Sequence, residues 1–138
     1  MFDGLRGENM KIIHVDENRF ARYEMEKDVL RVVSEAELHC FDNPDTALKF
    51  AEAEGCDVLL TEIELWNNRL GGIRLAKAMK EINPRVNIIF VTVYDENEVA
   101  RETSGLTISG FIPKLWTLEQ LAAAFHNLRY PVQTHTTI

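Results

Sequence analysis

The stretch CDVLLTEIELW, Cys56–Trp66, decides the fold because it joins a strand-like apolar run to a carboxylate. The consecutive apolar residues from Val58 to Leu60 predict a buried strand. Glu62 stands just beyond this run, and a polar loop comes after it. Open α/β sheets bind their ligands at the carboxyl ends of the strands. The stretch therefore predicts an acidic group at a ligand-binding edge, if the rest of the chain supplies a parallel sheet.

Further stretches of strand type accompany this one, and a helical segment follows each strand. Strict alternation of strands and helices predicts a parallel sheet with helices on both faces. With right-handed crossovers, such units predict a flavodoxin-like, doubly wound α/β fold, (βα)5, with strand order 2-1-3-4-5. The other strands are predicted at Lys11–Val15, Glu37–Phe41, Val86–Val93 and Ile108–Ile112.

The fourth predicted helix has a much weaker signal than the others. Between Asp95 and Ser104, only Val99 and Ala100 are apolar helix residues, so this segment predicts a short, weakly held helix. By contrast, Thr117 opens a capping box before the last predicted helix, whose apolar residues share one face.

Length and composition exclude several classes of protein. The chain has 138 residues, a hydrophobic content of 46% and a charged content of 27%, which predict one ordinary globular domain. A net charge of -7 argues against nucleic-acid binding, because phosphate contacts need clustered Lys and Arg. Cys40 and Cys56 are too few for a disulfide framework and are predicted to be reduced. With no secretory segment and no apolar run of membrane-spanning length, the sequence predicts a cytoplasmic protein.

Polar groups follow most of the predicted strands at their carboxyl ends. Asp16 and Glu17 end the first strand, Glu62 the third and Thr92 the fourth, and Lys114 follows the fifth. Each alone has an ordinary structural role, as a helix cap, a β-branched strand residue or a surface charge. Jointly, they favour one site, because strands 1, 3 and 4 are neighbours in this order. Three carboxylates, a hydroxyl and an ammonium suit Mg²⁺ and a phosphoryl group.

These motifs together resemble the receiver domain of two-component response regulators, from Met10 to Leu128. The polar, Gly-containing stretch 1–9 before Met10 predicts an N-terminal extension, and the resemblance implies a receiver-like domain at 10–129 with a tail at 130–138. The end of the domain resembles the junction before a transcriptional output domain, and the short tail implies that such a domain is absent. The motifs that carry the resemblance are IIHVDE, DVLLTEIEL, NPRVNIIFVTVYDE and SGFIPK.

The family's roles can be carried over to the matching positions. Glu62 occupies the phosphoacceptor position, Thr92 and Lys114 would sense the phosphoryl group, and Phe111 would be the switch aromatic. A weak Mg²⁺ site is implied at the positions Asp16, Glu17, Glu62 and the backbone carbonyl of Glu64.

The sequence departs from the family pattern at three places. Glu62 replaces the phosphorylated aspartate, and Trp66 stands where a proline is usual, in a loop that is about two residues longer than typical. Leu115 replaces the proline that usually follows the conserved lysine, so the Lys114–Leu115 peptide bond is predicted to be trans.

The glutamate changes the expected mechanism. One more methylene moves the carboxylate by about 1.5 Å, which disturbs an in-line attack that depends on close positioning. We therefore expect little or no phosphorylation, with Glu62 paired to Lys114, in a non-enzymatic signalling domain that acts by protein contacts, in transcriptional control. Whether Glu62 mimics the phosphorylated state or is a relic stays open at this stage.

Two alternatives remain. In one, the domain is a working phosphoacceptor that a sensor histidine kinase phosphorylates. In the other, which belongs to a different class, the acidic edge is a small metal-dependent hydrolase site. The partners implied are a sensor histidine kinase, an output domain or partner protein, and a second copy bound through the face of the fourth helix, fifth strand and fifth helix.

Overall fold

The computed structural model describes residues 10–128, together with the backbone of Leu5–Arg6 and Gln133–Thr134. These two short segments pair with each other as antiparallel strands. The remainder of the predicted extension (1–9) and tail (130–138) lies outside the described residues. None of the helices in the described part is both long and apolar enough to cross a membrane.

Five parallel strands form the central sheet. Its order is β2-β1-β3-β4-β5, which confirms the predicted 2-1-3-4-5 arrangement. The first two strands have the predicted bounds, whereas β4 is one residue shorter at each end and β5 starts two residues later. The strands are β1 (Lys11–Val15), β2 (Glu37–Phe41), β3 (Val58–Thr61), β4 (Asn87–Thr92) and β5 (Gly110–Pro113).

Four α-helices cover the sheet in the described part of the chain. They are α1 (Arg19–Val32), α2 (Pro44–Glu54), α3 (Gly71–Ile82) and α4 (Leu118–His126), and α4 corresponds to the fifth predicted helix. Side chains point alternately to the two faces of each strand, so Ile12 packs on the side of α1 and α4, and Ile13 packs on the side of α2 and α3. The sheet thus has a hydrophobic core on each face.

The fourth predicted helix, which was expected to be short and weakly held, is a 3-10 helix of four residues, Glu96–Val99. Irregular turns follow it. Val99 is fully buried, but Glu96, Asn97 and Glu98 are exposed. Without an apolar face to bury, a short helix lacks the tertiary packing that supplies most helical stability in proteins.

Candidate functional site

The ammonium of Lys114 lies between two buried carboxylates at the carboxyl edge of the sheet. Its Nζ is 2.7 Å from Oδ2 of Asp16 and 2.9 Å from Oε1 of Glu62. Asp16 follows β1, Glu62 follows β3, and Lys114 follows β5, where its backbone N–H donates to the carbonyl of Thr92. The structure therefore contains the predicted Glu62–Lys114 pair and adds Asp16 to it.

The side chain of Glu62 turns back onto its own backbone. Its Oε2 accepts a hydrogen bond of 2.7 Å from the N–H of Ile63, while Oε1 faces Lys114. The residue is only 6% exposed. Both carboxylate oxygens are therefore engaged within the protein, in bonds that the charge of the carboxylate strengthens.

Lys114 is held in its charged form by these neighbours. Burial by itself lowers the pKa of an ammonium group, because the charged form loses hydration. Here the hydrogen bonds and charges of Asp16 and Glu62 outweigh that effect, and they raise the pKa of Lys114 above its usual 10.5. The ammonium thus compensates two buried carboxylates that would otherwise lack a positive charge beside them.

The acidic pair at the end of β1 is divided between two environments. Asp16 is 1% exposed, and its Oδ1 accepts a hydrogen bond of 2.8 Å from the N–H of Asn18. Glu17 is exposed, and its Oε1 accepts a hydrogen bond of 2.6 Å from the N–H of Trp66 in the loop between β3 and α3. Glu17 therefore holds the β3–α3 loop, whereas Asp16 holds Lys114.

The longer loop after β3 is folded into a tight turn. Trp66 and Asn67 both have positive φ, of 51° and 62°, and Leu65 and Asn68 exchange backbone hydrogen bonds of 3.0 and 2.9 Å across the turn. Such a conformation is uncommon for a bulky residue such as tryptophan. The indole N–H of Trp66 donates to the carbonyl of Asp42 at 2.6 Å, although the side chain is 56% exposed. The turn is thus fastened at both the backbone and the side chain of Trp66.

Gly72 allows α3 to approach the site closely. Its N–H donates to the carbonyl of Ile63 at 2.7 Å, and a Cβ at this position would lie 1.8 Å from the carbonyl oxygen of Glu62. Only glycine fits this approach without a shift of the backbone. Gly72 was not among the predicted site residues, although the Gly71-Gly72 doublet at the start of α3 is a sequence signal of such a contact.

The other predicted residues lie around this centre. Thr92 is 1% exposed, and its Oγ1 accepts a bond of 3.2 Å from the N–H of Tyr94. Phe111 is half-buried and packs on Phe90, with the ring centroids 5.4 Å apart. The carboxylate of Glu64 accepts from the hydroxyl of Tyr94 at 2.9 Å, and this bond raises the pKa of Tyr94.

In this arrangement the described acidic side chains are engaged with groups of the protein and form no ready-made Mg²⁺ site. Across the residues that the structure describes, no group of three or more His, Cys, Asp or Glu is arranged to hold a metal. Asp16 and Glu62 direct their oxygens to the ammonium of Lys114, and Glu17 is bound to the loop. A metal would therefore have to displace Lys114 from both carboxylates.

Comparison with known families assigns the chain to a family. The family model of the response regulator receiver domain matches residues 12–126. The chain belongs to this family. A search of curated protein sequences finds no match.

Solved structures of receiver domains are similar to this one at low sequence identity. Chemotaxis protein CheY4 from Vibrio cholerae has a TM-score of 0.75 and 17% identity, over 86% of this chain and 98% of that one. A two-component transcriptional regulator, AraC, from Clostridium phytofermentans has a TM-score of 0.71 and 20% identity, over 87% and 92%. RcsB from Salmonella enterica serovar Typhimurium, in a structure bound to promoter rprA, has a TM-score of 0.70 and 21% identity, over 85% and 66%. At these identities the likeness shows the receiver fold alone.

The receiver domain has one local feature that the family resemblance did not predict. The Lys114–Leu115 peptide bond is trans, as predicted, but Leu115 has a φ of 60° and is 93% exposed. Despite this unusual backbone, Lys114 still reaches Glu62. The departure at Leu115 therefore leaves the lysine at the site.

Proposed function

We propose that this receiver domain signals through protein contacts with little or no phosphorylation, because Glu62 replaces the acceptor aspartate. The observation that carries the proposal is the double pairing of Lys114 with Glu62 and Asp16. A carboxylate of the protein itself already neutralises the cation that would otherwise be available to a phosphoryl group.

Phosphorylation of Glu62 would require one of its oxygens to leave an existing bond. Oε1 would have to leave Lys114, or Oε2 would have to leave the N–H of Ile63. Hydrogen bonds to charged groups contribute about 1.5–3 kcal/mol each. That amount adds to the barrier of a transfer that already depends on in-line geometry. The bonds of Glu62 to Lys114 and Ile63 therefore support a site that keeps one conformation and is not phosphorylated.

Weak Mg²⁺ binding follows from the same contacts. The ion would compete with an ammonium that Asp16 and Glu62 already hold, and Glu17 would have to leave Trp66 to join it. We therefore propose that Asp16, Glu17, Glu62 and the carbonyl of Glu64 bind Mg²⁺ weakly, and that the signalling state does not depend on the ion.

Exposed apolar side chains next to the site support a function in protein contact. Val93 and Leu115 directly follow Thr92 and Lys114 and are 75% and 93% exposed. Together with Phe20 they line a groove of about 440 Å³. A neighbouring protein that covers these side chains would be sensitive to the state of the site, because each adjoins one of its residues.

The resemblance and the transcriptional regulators among the similar structures support a cytoplasmic role in transcriptional control. The domain would pass its signal to an output domain or a partner protein. In the alternative in which Glu62 accepts phosphate, its partner would be a sensor histidine kinase. The family's usual dimer face would here consist of the 3-10 turn Glu96–Val99, β5 and α4. Without a fourth α-helix this face offers less regular surface for self-association.

The test is the intact mass of the protein after incubation with Mg²⁺ and acetyl phosphate. We expect no phosphoryl adduct on the native protein and an alkali-labile adduct on Glu62→Asp, because the shorter carboxylate leaves room for the group. Glu62→Gln is the matched control, since it keeps the length of the side chain but cannot form an acyl phosphate. An alkali-labile adduct on the native protein that Glu62→Gln abolishes would show a working phosphoacceptor instead.

A parallel screen addresses the hydrolase alternative. Generic phosphate esters incubated with the native protein and Mg²⁺ should show no turnover above that of Asp16→Asn. Turnover that depends on Asp16 and Glu62 would contradict a purely signalling role.

A further inference from the structure

Helix α1 carries a second apolar stripe on its solvent side. Met25 and Val29 are fully buried in the core, but Phe20, Tyr23 and Leu30 are exposed by 81%, 62% and 51%. Tyr23 precedes Met25 by two residues, which is about 200° around a helix. The outer stripe therefore lies opposite the core face, and exposed apolar side chains that share one helix face mark an interaction surface.

The spacing of the outer stripe is that of a coiled-coil seam. Phe20, Tyr23, Lys27 and Leu30 follow one another at steps of three, four and three residues, which are the a and d positions of two heptads. The helix has 14 residues, enough for these two heptads. Lys27 adds the apolar stem of its side chain, and its ammonium lies 5.9 Å from the ring of Tyr23. A single polar a position is compatible with a seam and lowers its stability.

The charges beside the seam select a partner. With Phe20 at a, Arg19 and Glu26 occupy g positions, and Glu24 and Arg31 occupy e positions. In a parallel pair, each g residue faces the e residue five positions later on the other helix. Arg19 then meets Glu24 of the partner subunit, and Glu26 meets Arg31 of the partner subunit. Every flanking pair in a parallel pair of identical helices is thus attractive.

The antiparallel arrangement lacks this complementarity. If Phe20 opposed Leu30 across an antiparallel pair, Glu24 would lie beside Glu24 of the partner subunit, and Glu26 beside Glu26 of the partner subunit. Like charges at such positions are destabilising. The charges beside the seam therefore favour an identical α1 helix as the partner, and they favour the parallel orientation over the antiparallel one.

We infer that α1 is the interface between two copies of this chain, packed as a parallel, two-heptad helix pair. This surface is separate from the face of the 3-10 turn, β5 and α4, and the inference does not depend on the proposed state of Glu62. Two heptads form a small interface, so the dimer is weak and reversible. Its flanking charge pairs are exposed, so it weakens further at high salt.

Sedimentation velocity over a range of protein concentrations tests the interface. We expect the native protein to shift from monomer to dimer as concentration rises, and Leu30→Glu to remain monomeric. Ala123→Glu is the matched control, because Ala123 is an exposed position on α4. Circular dichroism should show all three proteins folded. A native protein that stays monomeric, or a dimer that persists in Leu30→Glu, would overturn the inference, as would a dimer that only Ala123→Glu disrupts.

A charge exchange tests the flanking pairs. One variant carries Arg19→Glu and Arg31→Glu, and the other carries Glu24→Arg and Glu26→Arg. Each variant alone should be monomeric, because all its flanking charges are alike, and an equimolar mixture should form a one-to-one dimer. If either variant alone dimerises as the native protein does, the pairs do not form.

Disulfide trapping tests the orientation. In the parallel pair Leu30 faces Leu30 of the partner subunit, so Leu30→Cys should oxidise to a covalent dimer. Glu52→Cys, an exposed position on α2, should not. Equal trapping of the two variants, or none of Leu30→Cys at concentrations where the native protein dimerises, would rule out the parallel arrangement.

Discussion

Replacing Lys114 by methionine removes the ammonium that lies between Asp16 and Glu62. The side chains of these carboxylates are 1% and 8% exposed. Removal of one partner from a fully buried ion pair destabilises a protein by about 3–5 kcal/mol, because the remaining charge stays buried. The Lys114 side chain is 22% exposed, so water relieves part of this loss. We expect Lys114→Met to lower the free energy of unfolding by about 3 kcal/mol, the lower end of that range.

Urea denaturation at about pH 7.5, followed by circular dichroism, measures this change. For a chain of this size, about 3 kcal/mol corresponds to a fall in Tm of about 10 °C. Lys49→Met is the matched control, because Lys49 is an exposed position on α2. Surface substitutions change the free energy of unfolding by about 0.5 kcal/mol or less, so this control should unfold nearly as the native protein does.

The pH dependence of the same variant has a defined sign. The folded protein raises the pKa of Lys114 above its usual 10.5. The contribution of the charged lysine is therefore complete below about pH 10.5 and is lost as pH rises through the higher pKa of the folded state. The difference in stability between the native protein and Lys114→Met should be constant near neutral pH and should narrow in strong alkali. If Lys114→Met unfolds like Lys49→Met, or if the difference in stability does not narrow in strong alkali, the ammonium does not hold the two carboxylates.

Three other perturbations follow from the contacts. Burial lowers the pKa of His14 from 6.5 to about 3, so below pH 6.5 the unfolded chain binds a proton that the folded protein does not, and the free energy of unfolding falls. Between pH 8 and pH 5 this effect amounts to about 2 kcal/mol. In urea titrations, His14→Leu should lose about 2 kcal/mol less stability over that range than the native protein does. Trp66→Phe keeps an aromatic ring but loses the indole donor, so it should destabilise the protein by about 1 kcal/mol and increase hydrogen exchange in the β3–α3 loop. Gly72→Ala places a Cβ against the carbonyl oxygen of Glu62 and should destabilise by about 1–3 kcal/mol, whereas Gly71→Ala, with a nearest contact of 3.1 Å, should cost less.

Each of these predictions has an outcome that contradicts its reasoning. The His14 reasoning is contradicted if His14→Leu and the native protein lose the same stability between pH 8 and pH 5. The Trp66 reasoning is contradicted if hydrogen exchange in the β3–α3 loop is unchanged in Trp66→Phe. The Gly72 reasoning is contradicted if Gly72→Ala and Gly71→Ala are equally stable, because α3 would then not need its close approach to Glu62.

The local pattern of the sequence was sufficient for the sheet. The bounds of β1 and β2 match the prediction, because apolar residues between polar boundaries specify where a buried strand begins and ends. The same pattern placed Asp16, Glu62, Thr92 and Lys114 at one edge. The fourth helix is only a 3-10 helix of four residues, because its signal rested on two apolar residues and of these only Val99 is buried.

What the sequence by itself determined is therefore the fold and the identity of the groups that meet at the carboxyl edge, since strand period and strand order are properties of the chain pattern. Only the tertiary structure decided how those groups pair. Asp16 and Glu17 bind different partners because the β3–α3 loop places the N–H of Trp66 beside Glu17, whereas Asp16 contacts Lys114. Glu62 turns inward because a backbone N–H and an ammonium are both within its reach. The contacts of Glu17 with Trp66 and of Glu62 with Lys114 join residues far apart in the chain, and their distances are set by packing, which no local pattern records.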